Sequence, residues 1–188
     1  MIPTLTTQRL TLRPFRLDDA DFLFDMYSRW EVQRFIGREP KVMTDRTEAI
    51  ERAQRLASLD HPVHGVWAIT ETETGRQHGA LLLKELPASG STEPLQPSGN
   101  IEIGWHLHPD AWGRGYATEA ATRVLQHAFD NGVSRVLAVT YPQNAASQRV
   151  ALRIGMRDLG ITEDYYNATC ALFGIDRPAE SPATPPTE

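Results

Sequence analysis

One continuous segment, residues 100–130, constrains the fold more than any other part of the chain. It opens with NIEIGWHLH, whose apolar and polar residues alternate as in a strand with one buried face. The loop HPDAWGRG follows, and apolar residues then recur at helical spacing from Ala117 to Phe129. Asn131 and Gly132 end this helix. A strand that leads through a glycine loop into a long amphipathic helix is typical of an α/β domain.

Shorter patterns predict the other elements. Apolar runs predict strands at RLTLRPF, HGVWAITE, GALLLKEL and SRVLAVTY, and one or two more within DYYNATCALFGI. Helical spacing predicts helices over residues 18–30, with Asp18 as N-cap, over 44–59, and over 144–155, with Asn144 as N-cap. The order β-α-α-β-β-β-α-β-α-β-β predicts an α/β domain around a mixed sheet, in which SRVLAVTY is central.

Composition predicts one domain. A chain of 188 residues with 40% hydrophobic content suits a single core, which we expect to span residues 1–176. Residues 87–99 are rich in Pro, Ser and Gly, which indicates a mobile connection. The Pro-rich segment 177–188 is expected to be a disordered tail. The formal net charge of −5 argues against direct nucleic-acid binding.

Cysteine content and hydropathy predict the cellular setting. Cys170 is the only cysteine, which excludes an internal disulfide, fits a reducing compartment and predicts a small buried apolar residue. The N-terminus lacks a secretion signal, and no apolar run approaches about 18 residues. We therefore expect a cytoplasmic protein without a membrane partner.

The glycine loop predicts a site for an anion. Glycines allow close approach to the backbone, and a helix start presents free N–H groups with a partial positive charge. Arg114 adds a cation. The pattern Gly113-x-Gly115-x-x-Thr118 lacks the third glycine of a dinucleotide fingerprint, and no Gly-Lys-Ser/Thr of a P-loop follows. A simple turn is the other interpretation, and the loop alone does not fix the ligand.

Three segments extend this interpretation by resemblance. WGRGYATEA resembles the pyrophosphate-binding loop of the GNAT superfamily of acetyltransferases, with Trp112 where Gln or Arg is usual. TTQRLTLRPFRLDDADFL, IEIGWHLHPDAWGRGYATEA and NAASQRVALRIGM resemble the Rim-type branch, the ribosomal-protein N-terminal acetyltransferases and their relatives. The resemblance covers residues 7–175. It implies a mixed, mostly antiparallel central sheet with splayed central strands and flanking helices.

The resemblance also implies an activity and a binding site. The activity is transfer of an acetyl group from acetyl-CoA to a primary amine, by direct attack in a ternary complex. The pantetheine arm would lie between the strands NIEIGWHLH and SRVLAVTY and pair with strand backbone. The residues implied in binding acetyl-CoA are Trp112, Gly113, Arg114, Gly115, Tyr116, Ala117, Thr118, Asn144 and Ser147.

Two residues are candidates for the base that deprotonates the amine. Glu102 lies on the polar face of the strand that enters the site, and an acidic residue at this position often has that role in the related enzymes. His106 shares the face and has an ordinary pKa closer to neutrality. We expect Glu102 to be the catalytic base, acting through water, with His106 as the alternative; either residue could instead be solvated.

Ser147 is the second catalytic candidate. Many members of the superfamily place a Tyr seven residues after the Asn, whereas this chain has Ala151 there. The Rim-type branch points to Ser147 instead, which lies on the apolar face of its helix. It could protonate the leaving thiolate, contact the CoA sulfur or pantetheine, or only bond to local backbone. Asn144 is either an N-cap alone or a cap that also binds pantetheine.

The remaining sequence features concern a possible metal site, the acceptor and the alternative functions. His106, His108 and Asp110 lack a fourth convergent metal ligand, so no metal is expected. Trp30, Phe35 and Ile36 are interpreted as core residues and not as acceptor contacts. The acceptor could be a protein N-terminus or a small-molecule amine, and the sequence allows a homodimer. Another acyl-CoA such as succinyl-CoA, or a CoA-binding sensor without turnover, are the alternative functions.

Overall fold

Residues 1–179 are described by a computed structural model, in which helices cover both faces of an eight-stranded sheet. The strands are β1 Leu5–Thr6, β2 Leu10–Pro14, β3 Gly65–Glu71, β4 Gln77–Pro87, β5 Pro97–Leu107, β6 Arg135–Thr140, β7 Arg157–Thr162 and β8 Cys170–Asp176. The helices are α1 Ala20–Tyr27, α2 Trp30–Gln33, α3 Arg46–Ala57, α4 Tyr116–Asp130 and α5 Ala145–Arg153. Short 3-10 turns span Leu17–Asp19 and Pro109–Ala111.

The sheet has the order β1-β2-β3-β4-β5-β6-β8-β7. Every neighbouring pair is antiparallel except β5 and β6, which are parallel. These two strands pair only at Ile101↔Val136 and Glu102↔Leu137, and beyond those residues they diverge. The predicted mixed, mostly antiparallel sheet with splayed central strands is therefore confirmed.

Two apolar layers fix which side chains face which helices. One core packs α4 against the sheet and includes Ile103 and Leu107 of β5. The other packs α1 and α3 against the opposite face and includes Ala80 of β4. Ala80 pairs with His106 and Lys84 pairs with Glu102, and directly paired residues point to one face. Lys84, Glu102 and His106 therefore lie on the α1 and α3 side.

The first predicted helix is wrong in its boundaries. The chain breaks after Tyr27, and Trp30 begins the separate helix α2, where it is 56% exposed. Asp18 does not cap the helix. The buried neighbour Asp19 holds this turn, because its carboxylate accepts hydrogen bonds from the Arg16 N–H at 2.7 Å and from the Arg13 guanidinium at 2.7 Å. Adjacent acidic residues made the two positions indistinguishable in sequence.

The expected connection over residues 87–99 is also too long, because β4 and β5 stay paired to Pro87↔Pro97. Proline has no backbone N–H but can still stand at the end of a strand, where no ladder hydrogen bond from it is needed. The Pro-rich composition therefore indicated the turn and not how far the strands pair into it. Strand β7 lies before the predicted DYYNATCALFGI segment. It is an edge strand with both faces largely exposed, so its residues carry no alternating pattern.

Within residues 1–179, no helix is long and apolar enough to cross a membrane. The end of the described chain runs beside the sheet, where the Arg177 N–H donates to the Ser134 carbonyl oxygen at 2.8 Å. Most of the predicted tail, residues 180–188, lies outside the described residues.

Candidate active site

A cleft of about 980 Å³ begins where β5 and β6 separate and continues to the glycine loop. Its floor consists of residues 103–107 of β5 and 138–140 of β6, and α5 forms one wall. Glu102, Tyr166 and Cys170 lie at the end where the strands still pair. The cleft brings together most of the residues that the sequence implies in binding or catalysis: Glu102, Trp112, Gly113, Gly115, Tyr116, Ala117, Thr118, Asn144 and Ser147.

The glycine loop enters α4 through left-handed backbone. Gly113 has φ +73° and Gly115, the N-cap of α4, has φ +79°. Side chains other than glycine are strained in this region. The first hydrogen bond of the helix runs from the Glu119 N–H to the Gly115 carbonyl oxygen at 3.0 Å, so the N–H groups of residues 116–118 bond to no other described residue. These residues line the cleft, and a helix start of this kind is suited to bind an anion.

Two side chains of the loop, those of Trp112 and Tyr116, contact the scaffold, and Arg114 lies outside the cleft lining. The Trp112 indole N–H donates to the Leu107 carbonyl oxygen at 3.0 Å, which ties the loop to the end of β5. The Tyr116 ring is buried and packs on His78 with ring centroids 4.6 Å apart. Arg114 is exposed and is not among the residues that line the cleft. The Arg114 side chain therefore does not place the expected cation in the cleft.

Glu102 is a buried carboxylate at the point where the strands part. Its Oε1 accepts a hydrogen bond of 2.6 Å from the Tyr166 hydroxyl and lies 3.5 Å from Lys84 Nζ. Its Oε2 is buried without a partner among the described residues. Burial raises the pKa of Glu102, although Lys84 and Tyr166 act against this rise. The expected alternative of a solvated strand glutamate is wrong.

Tyr166 owes its position to a strained turn between β7 and β8. Tyr166 has φ +58° and Asn167 has φ +51°, both in the left-handed region. The Asn167 side chain exchanges two hydrogen bonds with the Gly90 backbone, and the Asn167 N–H donates to Ser89 Oγ at 3.0 Å. Residues 88–90, which were expected to be mobile, therefore brace the turn that holds the Tyr166 hydroxyl on Glu102.

His106 is half-buried in the lining of the cleft and contacts another side chain, so it is not simply a solvated strand residue. Its Nδ1 lies 2.9 Å from the Tyr27 hydroxyl. Burial, with the nearby charges of Arg52 and Lys84, lowers the pKa of His106 to about 3. The imidazole is therefore neutral near pH 7 and accepts a proton only weakly.

His108 has a structural role that separates it from His106. Its Nδ1 accepts from the Asp110 N–H at 3.2 Å, so its Nε2 carries the proton and donates to Asp25 Oδ2 at 3.1 Å. Among residues 1–179, no group of three or more His, Cys, Asp or Glu side chains could hold a metal ion.

Helix α5 presents Asn144 and Ser147 to the cleft. Asn144 caps the helix, since its Oδ1 accepts from the Ser147 N–H at 3.2 Å, and this confirms the predicted cap. The Ser147 hydroxyl forms no hydrogen bond with any part of the chain that the structure describes. A purely local backbone bond, one of the three roles considered for Ser147, is thus not observed.

Residues 9–157 match the family of acetyltransferase (GNAT) domains. The chain belongs to the GNAT acetyltransferase family. It is 32% identical over 167 residues to YoaA, an uncharacterised N-acetyltransferase of Bacillus subtilis, a match that covers 88% of this chain and 89% of YoaA. Relatives of this kind are named N-acetyltransferases, and the chain is an acetyltransferase enzyme.

Solved structures of the GNAT family share the fold. An acetyltransferase of Agrobacterium tumefaciens superimposes with a TM-score of 0.72 at 27% identity, covering 93% of this chain and 95% of that one. RimL, a ribosomal α-N-protein acetyltransferase in complex with coenzyme A, superimposes with a TM-score of 0.72 at 17% identity, covering 93% and 98%. The second likeness concerns the fold alone.

The cleft of this GNAT chain fits a CoA thioester on its own chemistry. The helix start offers to a pyrophosphate the N–H groups that bond to no other described residue. The space beside Gly115 is open to a ligand, because a Cβ on this glycine would meet only the far end of the Arg9 side chain, at 3.5 Å. The Trp105 indole N–H is buried in the cleft with no partner in the described part of the chain, so it could donate to a ligand carbonyl. Gly113, residues 115–118, Asn144 and Ser147 would hold the ligand.

Sequence reasoning missed several residues of this GNAT site. Lys84 interrupts the apolar run GALLLKEL, a signal that could have been connected to Glu102 once the hairpin register was known. Tyr166 and Arg52 left no comparable signal, because long-range packing brings them to the cleft. Phe35 and Ile36, interpreted as core, also line it.

Proposed function

We propose that the protein transfers an acetyl group from acetyl-CoA to a primary amine by direct attack in a ternary complex. The observation that carries this proposal is the single cleft that joins the glycine loop at the start of α4 to the buried carboxylate of Glu102. One end suits the phosphates of a CoA ester, and the other holds a proton acceptor.

The proposed step needs four contributions. The amine nitrogen attacks the thioester carbonyl carbon, and a β5 backbone N–H stabilises the oxygen that gains negative charge. A proton leaves the amine for Glu102, through water, as the C–N bond forms. The C–S bond then breaks, and CoA leaves as a thiolate. Ser147 contacts the sulfur or protonates it, and Asn144 hydrogen-bonds the pantetheine.

Glu102 is the better base for this step. Its pKa is raised by burial, and its unpaired Oε2 is free to take a proton. His106 has a pKa of about 3, below the ordinary value of 6.5, and its Nδ1 already contacts Tyr27. A base works best when its pKa is near the working pH, so the shift of Glu102 helps and that of His106 hinders.

Thiol release from acetyl-CoA, measured with a panel of small amines and N-terminal peptides, tests the proposal. We expect release that depends on the amine and yields an N-acetylated product by mass spectrometry. Faster release from succinyl-CoA would change the acyl group, whereas tight acetyl-CoA binding without release from any donor would favour a sensor.

The sequence also suggests the bounds of the catalytic domain, the location of the protein and the class of its acceptor. Residues 1–176 are the catalytic domain, and a cytoplasmic location is expected from the lone cysteine. The acceptor is either a protein N-terminus or a small amine. A ribosomal-protein acceptor is one member of the first class, suggested by the resemblance to the Rim-type branch.

A further inference from the structure

The cleft carries positive charges that the rest of the site does not balance. Its lining includes six cationic side chains and two carboxylates: Arg34, Arg38, Arg52, Lys84, Arg149 and Arg153 against Glu31 and Glu102. The whole chain, in contrast, has a net charge of −5. Within residues 1–179, only Lys84 among the six has a carboxylate within 4.0 Å, that of Glu102. The phosphates of the proposed acetyl-CoA are one anionic group that suits this cleft, so only the cations outside α5, namely Arg34, Arg38, Arg52 and Lys84, can indicate a second anion.

Arg52 is the most constrained of these cations. It projects from α3, and its guanidinium carbon lies 4.0 Å from the centroid of the Tyr27 ring. Its Nε is buried and has no hydrogen-bond partner within residues 1–179. The Tyr27 hydroxyl in turn contacts His106, so Arg52 is held above the same face of β5 that carries Glu102. A partly desolvated guanidinium without an anion is costly, and a bound carboxylate would offset that cost.

The floor between Glu102 and His106 is formed by Gly104 and the neighbouring Leu82, whose side chain a Cβ on Gly104 would meet at 3.3 Å. Glu102 and His106 are on one face of β5 with Gly104 between them, and Gly104 has no side chain. A strand rises about 3.3 Å per residue, so Gly104 is roughly 6.6 Å from each of them along the strand. Glu102 and His106 are therefore roughly 13 Å apart along the strand, so the amine of an acceptor held at Arg52 would reach Glu102 directly if the acceptor is long and through water if it is short.

Two more arginines flank this end of the cleft. Arg34 and Arg38 lie in the connection after α2, where the Tyr141 hydroxyl donates to the carbonyl oxygen of Gly37 at 2.7 Å. This bond ties the connection to the end of β6. The arginines are thus presented by a fixed segment and not by a free loop end.

We propose that the acceptor carries a carboxylate as well as its amine, and that Arg52 binds this carboxylate with help from Arg34 and Arg38. This inference rests on the proposed acetyl transfer and names its substrate class. A guanidinium matches a carboxylate through two parallel hydrogen bonds. The carboxylate could belong to a free amino acid or to an acidic residue near a peptide N-terminus, and both sources share this chemistry.

Matched acceptor pairs test the inference by kcat/KM. One pair is a free amino acid and its amide, and a second is an amidated Ala-Asp dipeptide and its Ala-Asn counterpart. In whichever pair corresponds to the true source, we expect the carboxylate member to react roughly 10- to 100-fold faster, the effect of one charge-assisted hydrogen bond. Arg52→Gln should remove that preference by raising KM for the amine, with KM for acetyl-CoA unchanged.

Control variants separate the alternatives. Arg55→Gln removes an exposed cation from the same helix outside the cleft and should keep the preference. Arg38→Gln changes an exposed residue, so it should fold and weaken the preference even if Arg52→Gln does not fold. Equal rates within both pairs, or a higher KM for acetyl-CoA in Arg52→Gln, would overturn the inference while leaving acetyl transfer intact. Absence of thiol release with every acceptor would instead reject the proposed function, and the inference with it.

Discussion

The two carboxylate oxygens of Glu102 have different surroundings. Oε1 accepts from Tyr166 and faces Lys84, whereas Oε2 has no partner in the described chain. Unsatisfied buried polar atoms are rare and costly in folded proteins. Such an atom in a cleft is what a proton acceptor requires, because a fully hydrogen-bonded carboxylate would have no free lone pair to offer.

Replacing Glu102 by Gln should reduce kcat/KM by about 10²- to 10⁴-fold, the range for loss of a general base. The deficit should be greatest between the raised pKa of Glu102 and the pKa of the amine, where the wild-type carboxylate is ionised and most of the amine is still protonated. It should shrink as the pH approaches the amine pKa, near 8 for an α-amine and 10.4 for a lysine amine. Steady-state pH profiles check this, with the exposed strand residue Glu85→Gln as control. A Glu102→Gln profile that coincides with wild type would remove this residue from the mechanism.

Tyr166→Phe should shift the pH dependence. The Tyr166 hydroxyl lowers the Glu102 pKa, so its removal raises that pKa further. A base acts only when it is deprotonated, and the acid limb of kcat/KM should therefore move to higher pH. On that limb kcat/KM of the variant should be roughly 10-fold below wild type, and this difference should diminish at higher pH.

Tyr165→Phe is the matched control for this shift. Its hydroxyl accepts from Asn100 Nδ2 at 3.3 Å and does not contact Glu102, so its profile should stay unchanged. Equal shifts in both variants would mean that the turn between β7 and β8, and not the Tyr166 hydrogen bond, determines the pH of the acid limb of kcat/KM.

At the scale of elements, the sequence predicted what short segments determine locally. The strand, glycine loop and long helix of residues 100–130 were found because their signals are periodicity and backbone freedom. The cap of α5 by Asn144 was found for the same reason. Strand β7 was missed, since an exposed edge strand has no buried face to impose alternation.

The loop and α4 should respond as one element to Gly115→Val. A β-branched residue at φ +79° is strained by about 1–3 kcal/mol and would disturb the free N–H groups of the helix start. We expect acetyl-CoA affinity to fall at least about 10-fold in calorimetric titration.

Gly132→Val provides the comparison for this loop variant, because Gly132 has φ +85° at the other end of α4 and does not line the cleft. It should lose stability to a similar degree and keep its affinity. Unchanged affinity in Gly115→Val would reject the loop as the phosphate cradle.

At the scale of the whole molecule, the site depends on contacts between segments far apart in the chain. Glu102 meets Tyr166, and His106 meets Tyr27, which packs under Arg52. No local pattern encodes such contacts, because they follow from sheet order and from the packing of α1 and α3 on one face. Resemblance suggested acetyl-CoA as the cosubstrate, but only the assembled fold shows which cationic side chains line the cleft.

The assembled site should also reduce the stability of the fold, and Glu102→Gln measures that cost. The raised pKa of Glu102 means that the ionised native state is penalised above this pKa, whereas both states are protonated below the ordinary value of 4.5. At pH 7 the amide variant should therefore be more stable, by an amount on the order of 1 kcal/mol, or about 2–4 °C in Tm for a chain of this size. The gain should shrink as the pH falls through the raised pKa and vanish below about pH 4.5. A Tm difference that stays constant across this range would mean that packing, and not the buried charge, separates the two proteins.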